Sequence, residues 1–407
     1  MRQLRRLADL AILSAGISAI ASCDPIPPLH LHYEQDVDFE FPLVMIDLDV
    51  IWDYDLMYEY QYDTVYDWRK EWKYGWDDQD SILFGPIGYT APEAFNIRRY
   101  YQANVPDAPH INVQRDYFEG YSFTTSYQFG YYDFLLWNDI ITKDGTYSII
   151  FDEETSLDSV MVASTSSTYG PSYDPGQKYS YNMPDELFSA EMQDIYISRN
   201  KEDYDRYDEV TNTYYKYLDL TLYPRTYIYL TQVIIHHNWG KVVGTDGNAN
   251  LSNMARTTNL NTGVAGNDPV TVHYNTRFKQ NVEYTDYFTR SKRWGDDDQV
   301  DIIGGRLTTF GIRSINPYHY SNPLQIPEPV RKQRHYLDVN MIFGNGCDTT
   351  FVFDVTDQVL KRFRGGVITV ELDLDTIHSP GRNGGSGFDA EVEEWGEETH
   401  EFEVINP

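Results

Sequence analysis

Ile46-Asp47-Leu48-Asp49-Val50 alternates apolar and acidic residues and gives the clearest indication of the fold. Because neighbouring side chains of a strand point to opposite faces, this pattern predicts a strand with one buried face. The same alternation returns in Leu218–Leu222 and in Val370–Asp375. Residue types that favour strands (Tyr, Thr, Val, Ile and Phe) dominate these stretches, whereas helical periodicity is scarce. We therefore predict an all-β chain with minor α content.

Turn signals and short helical stretches refine this prediction. Asn345-Gly346 lies between the extended runs Tyr336–Phe343 and Thr349–Val355, which predicts a β-hairpin. Short helices are predicted at Pro184–Ala190 and at Thr356–Phe363. Many short strands with few helices favour β-sandwiches over a helix-covered parallel sheet.

The chain changes composition near its middle, where Ser198–Asn212 is crowded with charged residues and nearly free of aliphatic ones. A charged, polar stretch of this kind is typical of a boundary between domains. The predicted segments are a signal peptide (1–22), a lipidated cysteine with a Pro-rich spacer (23–35), a first β-sandwich (36–197), a charged linker (198–212) and a second β-sandwich (213–407).

The first residues have the layout of a secretory signal. Arg2, Arg5 and Arg6 precede the mostly apolar run Leu10–Ile20, and small residues then lead to Cys23. The run is too short to cross a bilayer stably, which favours a cleaved segment. A cysteine directly after the small residues resembles the bacterial lipobox, so we predict that Cys23 carries fatty acid such as palmitate. The alternative is an ordinary signal peptide with an incidental cysteine.

The charge balance narrows the range of partners. The chain has 63 acidic and 32 basic residues, for a formal net charge of −31. A polyanion is repelled by this charge, so nucleic acid is not a predicted partner. The same charge repels anionic membrane surfaces, so we predict that the protein attaches to the membrane through its N-terminal lipid and not through basic patches. Cys23 and Cys347 are the two cysteines, so lipid at Cys23 rules out a disulfide framework.

Motifs for catalysis are missing from the sequence. It contains no Gly-x-Ser-x-Gly elbow, no His-Glu-x-x-His and no phosphate-binding glycine loop, so we predict no enzyme activity and no cofactor. His236-His237 follows an apolar strand, but adjacent strand positions face opposite ways, so no metal site is predicted there. Asp77–Asp80 and Asp296–Asp298 offer oxygen atoms suited to calcium, although neither has EF-hand spacing. Whether either binds calcium stays open.

Trp68, Trp72 and Trp76 recur at every fourth position. This spacing places the three rings on one face of a helix or of a strand. One interpretation is a surface that stacks sugar rings or contacts a partner protein, since Trp is enriched in recognition surfaces. The other, which we favour, is core packing beneath a sandwich.

Several short motifs resemble a known family. They are spread over most of the chain: Asp67-Trp68, Gly130–Asn138, Pro184–Phe188, Leu307–Gly311, Asp354–Asp357 and Phe388–Trp395. Together with the lipobox and the two β-rich halves, they resemble the fimbrillin-like lipoproteins of Bacteroidales, especially the pilus-anchor branch and its uncharacterised relatives.

The resemblance implies two tandem transthyretin-like β-sandwich domains displayed at the cell surface on the outer membrane. It implies a role in adhesion and assembly as a pilus anchor, accessory or tip subunit, with fimbrial subunits as possible partners through strand addition. Polymerising subunits of that family are cut by an arginine-specific protease. The candidate arginines of the first half do not lie in an unmistakable cleavage loop: Arg69, Arg98, Arg99 and Arg115.

Two further alternatives remain. Glu401–Ile405 alternates like an edge strand that could be donated to a partner, although completing its own sheet is the simpler interpretation. The rival function is a glycan-binding surface lipoprotein of a nutrient-uptake system. It would use the tryptophan surface described above.

Overall fold

Strands make up most of the described chain in the computed structural model. The described residues are 43–51, 71–102, 112–140, 148–152, 157, 161–165, 180–283 and 299–375. Several predicted features lie outside them: the leader with Cys23, the spacer, Trp68, Arg69, Asp296–Asp298, Phe388–Trp395 and Glu401–Ile405.

Within the described residues before position 225, the chain forms twelve strands. They are β1 Leu43–Ile51, β2 Ala94–Gln102, β3 Asn112–Glu119, β4 Ser122–Tyr127, β5 Gly130–Asn138, β6 Ile149–Asp152, β7 Met161–Ser164, β8 Tyr181–Asn182, β9 Phe188–Ile197, β10 Arg206–Asp208, β11 Thr213–Thr221 and β12 Tyr223–Pro224.

Ten more strands follow in the described residues of the second half. They are β13 Tyr227–His236, β14 Val242–Gly244, β15 Asn248–Ala255, β16 Thr257–Asn259, β17 Pro269–Asn275, β18 Arg277–Glu283, β19 Gln299–Thr309, β20 Tyr336–Phe343, β21 Asp348–Asp354 and β22 Gly366–Asp373.

Helices are few and short in the described part. They are α1 Asp78–Phe84, α2 Glu328–Arg331 and α3 Thr356–Lys361, with 3-10 turns at Lys201–Asp203, Pro317–His319 and Pro323–Gln325. The helix predicted from Thr356 is confirmed as α3. The helix predicted at Pro184–Ala190 is wrong, because Phe188 and Ala190 belong to β9 and bury their side chains in the core of a sheet pair.

The first sandwich consists of two sheets. Sheet I has the order β10-β11-β1-β4, and sheet II has the order β12-β9-β5-β2-β3. The alternation predicted for β1 is confirmed, since Ile46 and Leu48 are buried between the sheets. Each such side chain stabilises the fold by about 1.5–3 kcal/mol relative to an exposed one. Phe95, Phe134 and Phe188 of sheet II pack against them.

The second sandwich repeats this plan of two facing sheets. Sheet III has the order β18-β19-β13-β22, and sheet IV has the order β14-β20-β15-β17-β8 with β21 beside β20. β13 pairs antiparallel with β19 and parallel with β22. The predicted hairpin is confirmed as β20 and β21, and Gly346 takes a φ of +81° at its turn. The observed architecture confirms the prediction of an all-β sandwich protein.

Strands from the first half also join sheets of the second half. β8 pairs in parallel with β17 of sheet IV. β6 and β7 form sheet V with β16, in the order β16-β7-β6. A buried cluster beneath sheet V contains residues of both halves: Tyr100, Leu135, Ile149, Leu157, Val162, Leu187, Ala255, Leu260, Ala265 and Phe310. Backbone ladders and apolar packing therefore connect the halves.

Residue contacts divide the described chain into two compact units. The small unit contains Leu43 and Asp208–Thr213, and the large unit contains all other described residues. In the small unit, Asp208 Oδ1 accepts hydrogen bonds from the backbone N–H groups of Val210 and Thr211 at 2.9 and 3.3 Å. Asn212 takes a left-handed φ of +47° and its carbonyl accepts from Leu43 N. This turn lies within the stretch predicted as a linker, and β10 precedes it.

Candidate functional site

Residues Glu71–Tyr89, here named the strap, lie against the face of sheet III that points away from the second core. Trp72 is 8% exposed and Tyr74 is 2% exposed, and both pack with Ile228, Leu230 and Ile302. The apolar residues of β13 and β19 on this face require such a cover, because exposed apolar patches of this kind are unfavourable in water. The strap supplies the cover.

Gln232 of β13 holds the strap to the sheet. Its Oε1 atom accepts hydrogen bonds from the backbone N–H groups of Lys73 and Tyr74 at 2.8 and 3.2 Å, and its Nε2 atom donates to the Glu71 carbonyl at 2.8 Å. A buried amide that satisfies three backbone groups fixes the position of this segment, since each would otherwise be costly to bury.

The tryptophan spacing left two interpretations, a stacking surface and core packing, and the described tryptophans pack against sheet III. Trp72 is inside the packed cluster, and its Nε1 donates to the Gly75 carbonyl at 3.0 Å. Trp76 is half-buried beside it, with ring centroids 6.4 Å apart, and also contacts Phe84. Trp68 lies outside the described residues.

The acidic stretch Asp77–Asp80 forms an ion-pair group that we name the Asp80 cluster: Asp77, Asp80, Arg277 and Lys279. Asp77 caps α1 by accepting a hydrogen bond from Asp80 N at 3.0 Å, and Asp80 Oδ2 accepts from Asp77 N at 2.9 Å. Lys279 Nζ lies 2.6 Å from Asp80 Oδ2, and Arg277 Nη1 lies 2.8 Å from Asp80 Oδ1. Both carboxylates thus already have cationic partners from β18.

Hydrogen bonding dominates the electrostatics of Asp80, which is fully buried. Burial raises the pKa of this carboxyl. The hydrogen bonds from Lys279, the Asp77 backbone, Arg277 and the Tyr74 hydroxyl outweigh that effect and hold the pKa below its ordinary value. Burial and the bond to Asp80 raise the pKa of Tyr74, so its hydroxyl stays protonated and donates at 2.8 Å. The cluster fastens α1 to sheet III.

A second set of polar contacts joins Pro184–Ser189 to the second half. Arg306 of β19 forms a salt bridge with Glu186, whose other carboxylate oxygen accepts from Thr90 N at 2.7 Å. Arg225 Nε donates to Ser189 Oγ at 2.6 Å, and that hydroxyl donates to the Leu260 carbonyl at 2.6 Å. The sequence alone does not reveal the partners of Arg225 and Glu186, because those partners are distant along the chain.

The arginines considered as protease sites are placed differently from one another. Arg98 and Arg99 are buried inside β2, and Arg99 Nε lies 2.7 Å from Asp116 Oδ2. Arg115 is exposed on β3. The two buried arginines are inaccessible to a protease in the folded state.

Three side chains with atoms that can bind a metal lie close together where β13 and β22 end. We name them the His237 cluster: His237, Asp373 and Asp375. His237 Nδ1 lies 2.8 Å from Asp373 Oδ1 and 3.8 Å from Asp375 Oδ2. All three ligand atoms lie within 4.8 Å of one another. Partial burial raises the pKa of Asp373, but hydrogen bonds from His237 and from Asp375 N outweigh it and hold the pKa below its ordinary value.

The two adjacent histidines do not face opposite ways as the strand rule predicts. His237 has a φ of +51°, so the extended backbone ends there and the alternation of side chains ends with it. His236 Nε2 lies 3.5 Å from Glu371, two residues before Asp373 on β22. Both imidazoles therefore approach the same row of acidic side chains, which the sequence-based argument missed.

Within the described residues, no helix has the length and apolar character needed to cross a bilayer.

No protein-family model matches the chain, and no curated protein matches it. A candidate adhesin from Bacteroides ovatus is a similar solved structure, with a TM-score of 0.44 and 14% identity, covering 85% of this chain and 97% of that one. A candidate adhesin from Bacteroides thetaiotaomicron has a TM-score of 0.42 and 11% identity, covering 82% and 92%. The fimbrial anchor protein Mfa2 from Porphyromonas gingivalis has a TM-score of 0.36 and 10% identity, covering 81% and 90%.

Proposed function

We propose that this protein is a lipid-anchored protein of the outer membrane that acts at the cell surface in adhesion and fimbrial assembly. It serves as a pilus anchor, accessory or tip subunit and has no enzymatic activity. The signal-like leader and the position of Cys23 support the tether. Several acyl chains on one cysteine hold far more firmly than a single chain, which a protein under tension requires.

The observation that carries this proposal is the way the two halves are fastened to each other. β8 adds to sheet IV, and β7 pairs with β16, so backbone ladders run from one half into the other. The Asp80 cluster and the salt bridge between Glu186 and Arg306 add buried charge pairs to the same connection. A subunit that transmits force from a tether to a partner benefits from such a joint, because hinge motion between its domains is suppressed.

We propose that the chain has two tandem domains, as the sequence predicts, but with their boundary after β12 and not at the predicted linker 198–212, which separated 36–197 from 213–407. β10 and β11 lie in sheet I with β1, so strands after residue 198 contribute to the first sandwich. The short stretch between β12 and β13 then separates the two cores, because Leu222 packs in the first core and Tyr227 in the second.

A binding role fits the way the buried charges are used. Asp80 and Glu186 both face cationic side chains at hydrogen-bond distance, and those bonds stabilise the strap and the joint. A carboxyl group that acts as a general acid near neutral pH needs an environment that raises its pKa. The pKa of Asp80 is instead lowered, which suits a structural ion pair.

The rival function, glycan binding in nutrient uptake, would use Trp68, Trp72 or Trp76 as a stacking surface. The burial of Trp72 removes the middle ring from any such platform. We therefore favour fimbrial subunits over glycans as partners of this protein. We propose that such a subunit binds by adding a strand to an open sheet edge. β3 and β22 are edge strands of sheets II and III.

Metabolic labelling with a fatty-acid probe tests the tether. We expect wild type and Cys347→Ala to be labelled, and Cys23→Ala to be unlabelled, because Cys347 serves as the matched thiol control. Protease treatment of intact cells should release fragments of the wild-type protein. Equal labelling of Cys23→Ala and wild type would contradict acylation at Cys23, and full protection from protease would contradict surface exposure.

A further inference from the structure

We propose that His237, Asp373 and Asp375 bind a divalent transition-metal ion of the zinc class. The site lies at the end of the second sandwich, where β13 and β22 finish side by side. It is independent of acylation at Cys23.

The strands bring the three residues together and hold them in place. β13 and β22 run parallel, and His236 lies opposite Asp373 in their register. His237 follows directly, and its positive φ turns the imidazole towards Asp373. Asp373 Oδ1 also accepts a hydrogen bond from Asp375 N at 2.9 Å, which fixes the carboxylate. Sites built on strand ends hold their geometry better than sites on long loops.

The spacing of the ligand atoms suits a metal ion. In a tetrahedral zinc site with bonds of about 2.0–2.1 Å, ligand atoms are about 3.3 Å apart. The two distances from His237 Nδ1, 2.8 and 3.8 Å, lie on either side of that value. Small side-chain rotations therefore bring all three atoms to bonding distance. To bind the metal, the neutral imidazole of His237 takes the tautomer with its proton on Nε2. The proton that Nδ1 donates to Asp373 leaves to solvent, Nε2 gains one from solvent, and the Nδ1 lone pair then binds the metal.

The charge of the site also favours a cation. Among the described residues, Lys241 brings an ammonium group to the rim of the site. Its Nζ lies 3.3 Å from Asp375 Oδ1 and donates to the Leu374 carbonyl at 2.7 Å. It thus contacts the carboxylate oxygen that does not face His237. Glu371 adds a further carboxylate on the same face of β22, 3.5 Å from His236. The local balance of Asp373, Asp375 and Glu371 against Lys241 is negative.

The ligand types indicate the class of metal. Calcium and magnesium prefer sites made only of oxygen, whereas an imidazole with carboxylates suits zinc and its neighbours in the first transition row. Three protein ligands leave one position of a tetrahedral ion open to water. Trp239 offers a reporter beside the site: its ring stacks on His237 with centroids 6.2 Å apart and is 73% exposed.

Titration of the untagged full-length chain with zinc in a calorimeter tests the proposal. We expect one zinc ion per chain for the wild type. Loss of an outer-shell partner already weakens metal sites by about 10–100-fold, so Asp375→Asn and His237→Gln should weaken binding at least tenfold. Asp348→Asn removes an exposed carboxylate of the neighbouring β20–β21 hairpin and should bind zinc like the wild type.

A second measurement locates the ion. Co²⁺ quenches nearby indole fluorescence, so we expect quenching in the wild type that is lost in Trp239→Phe and in Asp375→Asn. Because the Asp375 side chain is 55% exposed, its variant should fold normally, and circular dichroism checks this. Absence of zinc binding in the wild type, or equal binding by Asp375→Asn and wild type, would overturn the proposal.

Discussion

The two carboxylate clusters at opposite edges of sheet III make an informative comparison. The Asp80 cluster lies beside β18, one edge strand, and the His237 cluster lies beside β22, the other edge strand. Asp80 is fully buried, whereas the side chain of Asp375 is 55% exposed. The first cluster has an arginine and a lysine for its two carboxylates. The second has one lysine at its rim and an imidazole at its centre.

This difference shows what decides the role of an acidic cluster. Fixed cations within hydrogen-bond distance neutralise carboxylates and make them part of the fold. Carboxylates that meet an imidazole, here the half-buried Asp373 and the exposed Asp375, present ligand atoms suited to an ion from solution. Acidic composition alone, which is high throughout this chain, cannot separate the two cases. The two cases are separated by the side chains that the neighbouring strand places beside the carboxylates.

The largest expected effect comes from breaking the Asp80 cluster. Asp80→Asn removes the buried charge and leaves Arg277 and Lys279 without its compensation, so we expect a loss of about 3–5 kcal/mol in the free energy of unfolding. Urea unfolding measures it. Asp78→Asn, an exposed residue of the same helix, is the control and should change stability by less than about 0.5 kcal/mol. Similar small losses in both variants would contradict a structural role for the cluster.

Substitutions of two tryptophans compare the part of sheet III that the strap covers with the end of the sheet near the His237 cluster. Trp72→Ala should destabilise the protein by about 3–4 kcal/mol, because it empties a packed site under the strap. Trp239→Ala should cost less than about 0.5 kcal/mol, since that ring is mostly exposed. Thermal unfolding of both variants tests the assignment. Equal effects would show that the strap does not cover the sheet as described.

Acid titration distinguishes the carboxylate clusters from a buried histidine. Burial lowers the pKa of His335 to about 4, so the folded protein keeps this imidazole neutral while the unfolded chain protonates it near pH 6.5. Stability is therefore complete above about pH 6.5 and falls as the pH drops towards 4, by about 3 kcal/mol in all. The pKa values of Asp80 and Asp373 are lowered, so both carboxylates remain ionised through most of this window.

Unfolding free energies measured from pH 7 to pH 4.5 test this assignment. His335→Gln should reduce the dependence on pH and leave the part due to His273, whose pKa burial also lowers, whereas His319→Gln, at an exposed position, should leave the dependence unchanged. A full pH dependence in His335→Gln would assign the effect to other groups.

The smallest expected effect is the gain in stability when zinc binds the His237 cluster. At free zinc about one hundred times the dissociation constant, binding should raise the stability of the wild type by about 2.7 kcal/mol. Asp375→Asn should lose most of that gain while its stability without zinc changes by less than about 0.5 kcal/mol. Asp80→Asn should keep the zinc gain despite its lower baseline. Thermal unfolding with and without zinc separates these contributions.

Local patterns in the sequence predicted local structure well. Alternation identified β1, β11 and β22, and the Asn345-Gly346 turn identified the β20–β21 hairpin. These signals work because side-chain period and turn chemistry act over a few residues. The prediction of a helix at Pro184–Ala190 was wrong because tertiary packing determines the conformation of β9. The inward residues of this strand complete the first core.

Long-range placement could not be predicted from the same patterns. Asp77 and Arg277 meet although 200 residues separate them, and His237 and Asp373 meet across 136 residues. The parallel pairing of β13 and β22 creates the second contact, and the alternation within one strand does not reveal which distant strand it pairs with. The positive φ of His237 is equally hidden, since histidine seldom adopts it. The sequence indicated that β13 is apolar, but it did not indicate that the strap covers one face of this strand.

Affinity capture from solubilised cell envelopes tests the proposed function most directly. Wild-type protein is the bait, Cys23→Ala is the control, and both protein partners and polysaccharides are scored in the eluates. We predict that fimbrial subunits are retained by the lipid-anchored wild type and are reduced with Cys23→Ala. Retention of polysaccharide without any fimbrial or lipoprotein partner would contradict the account.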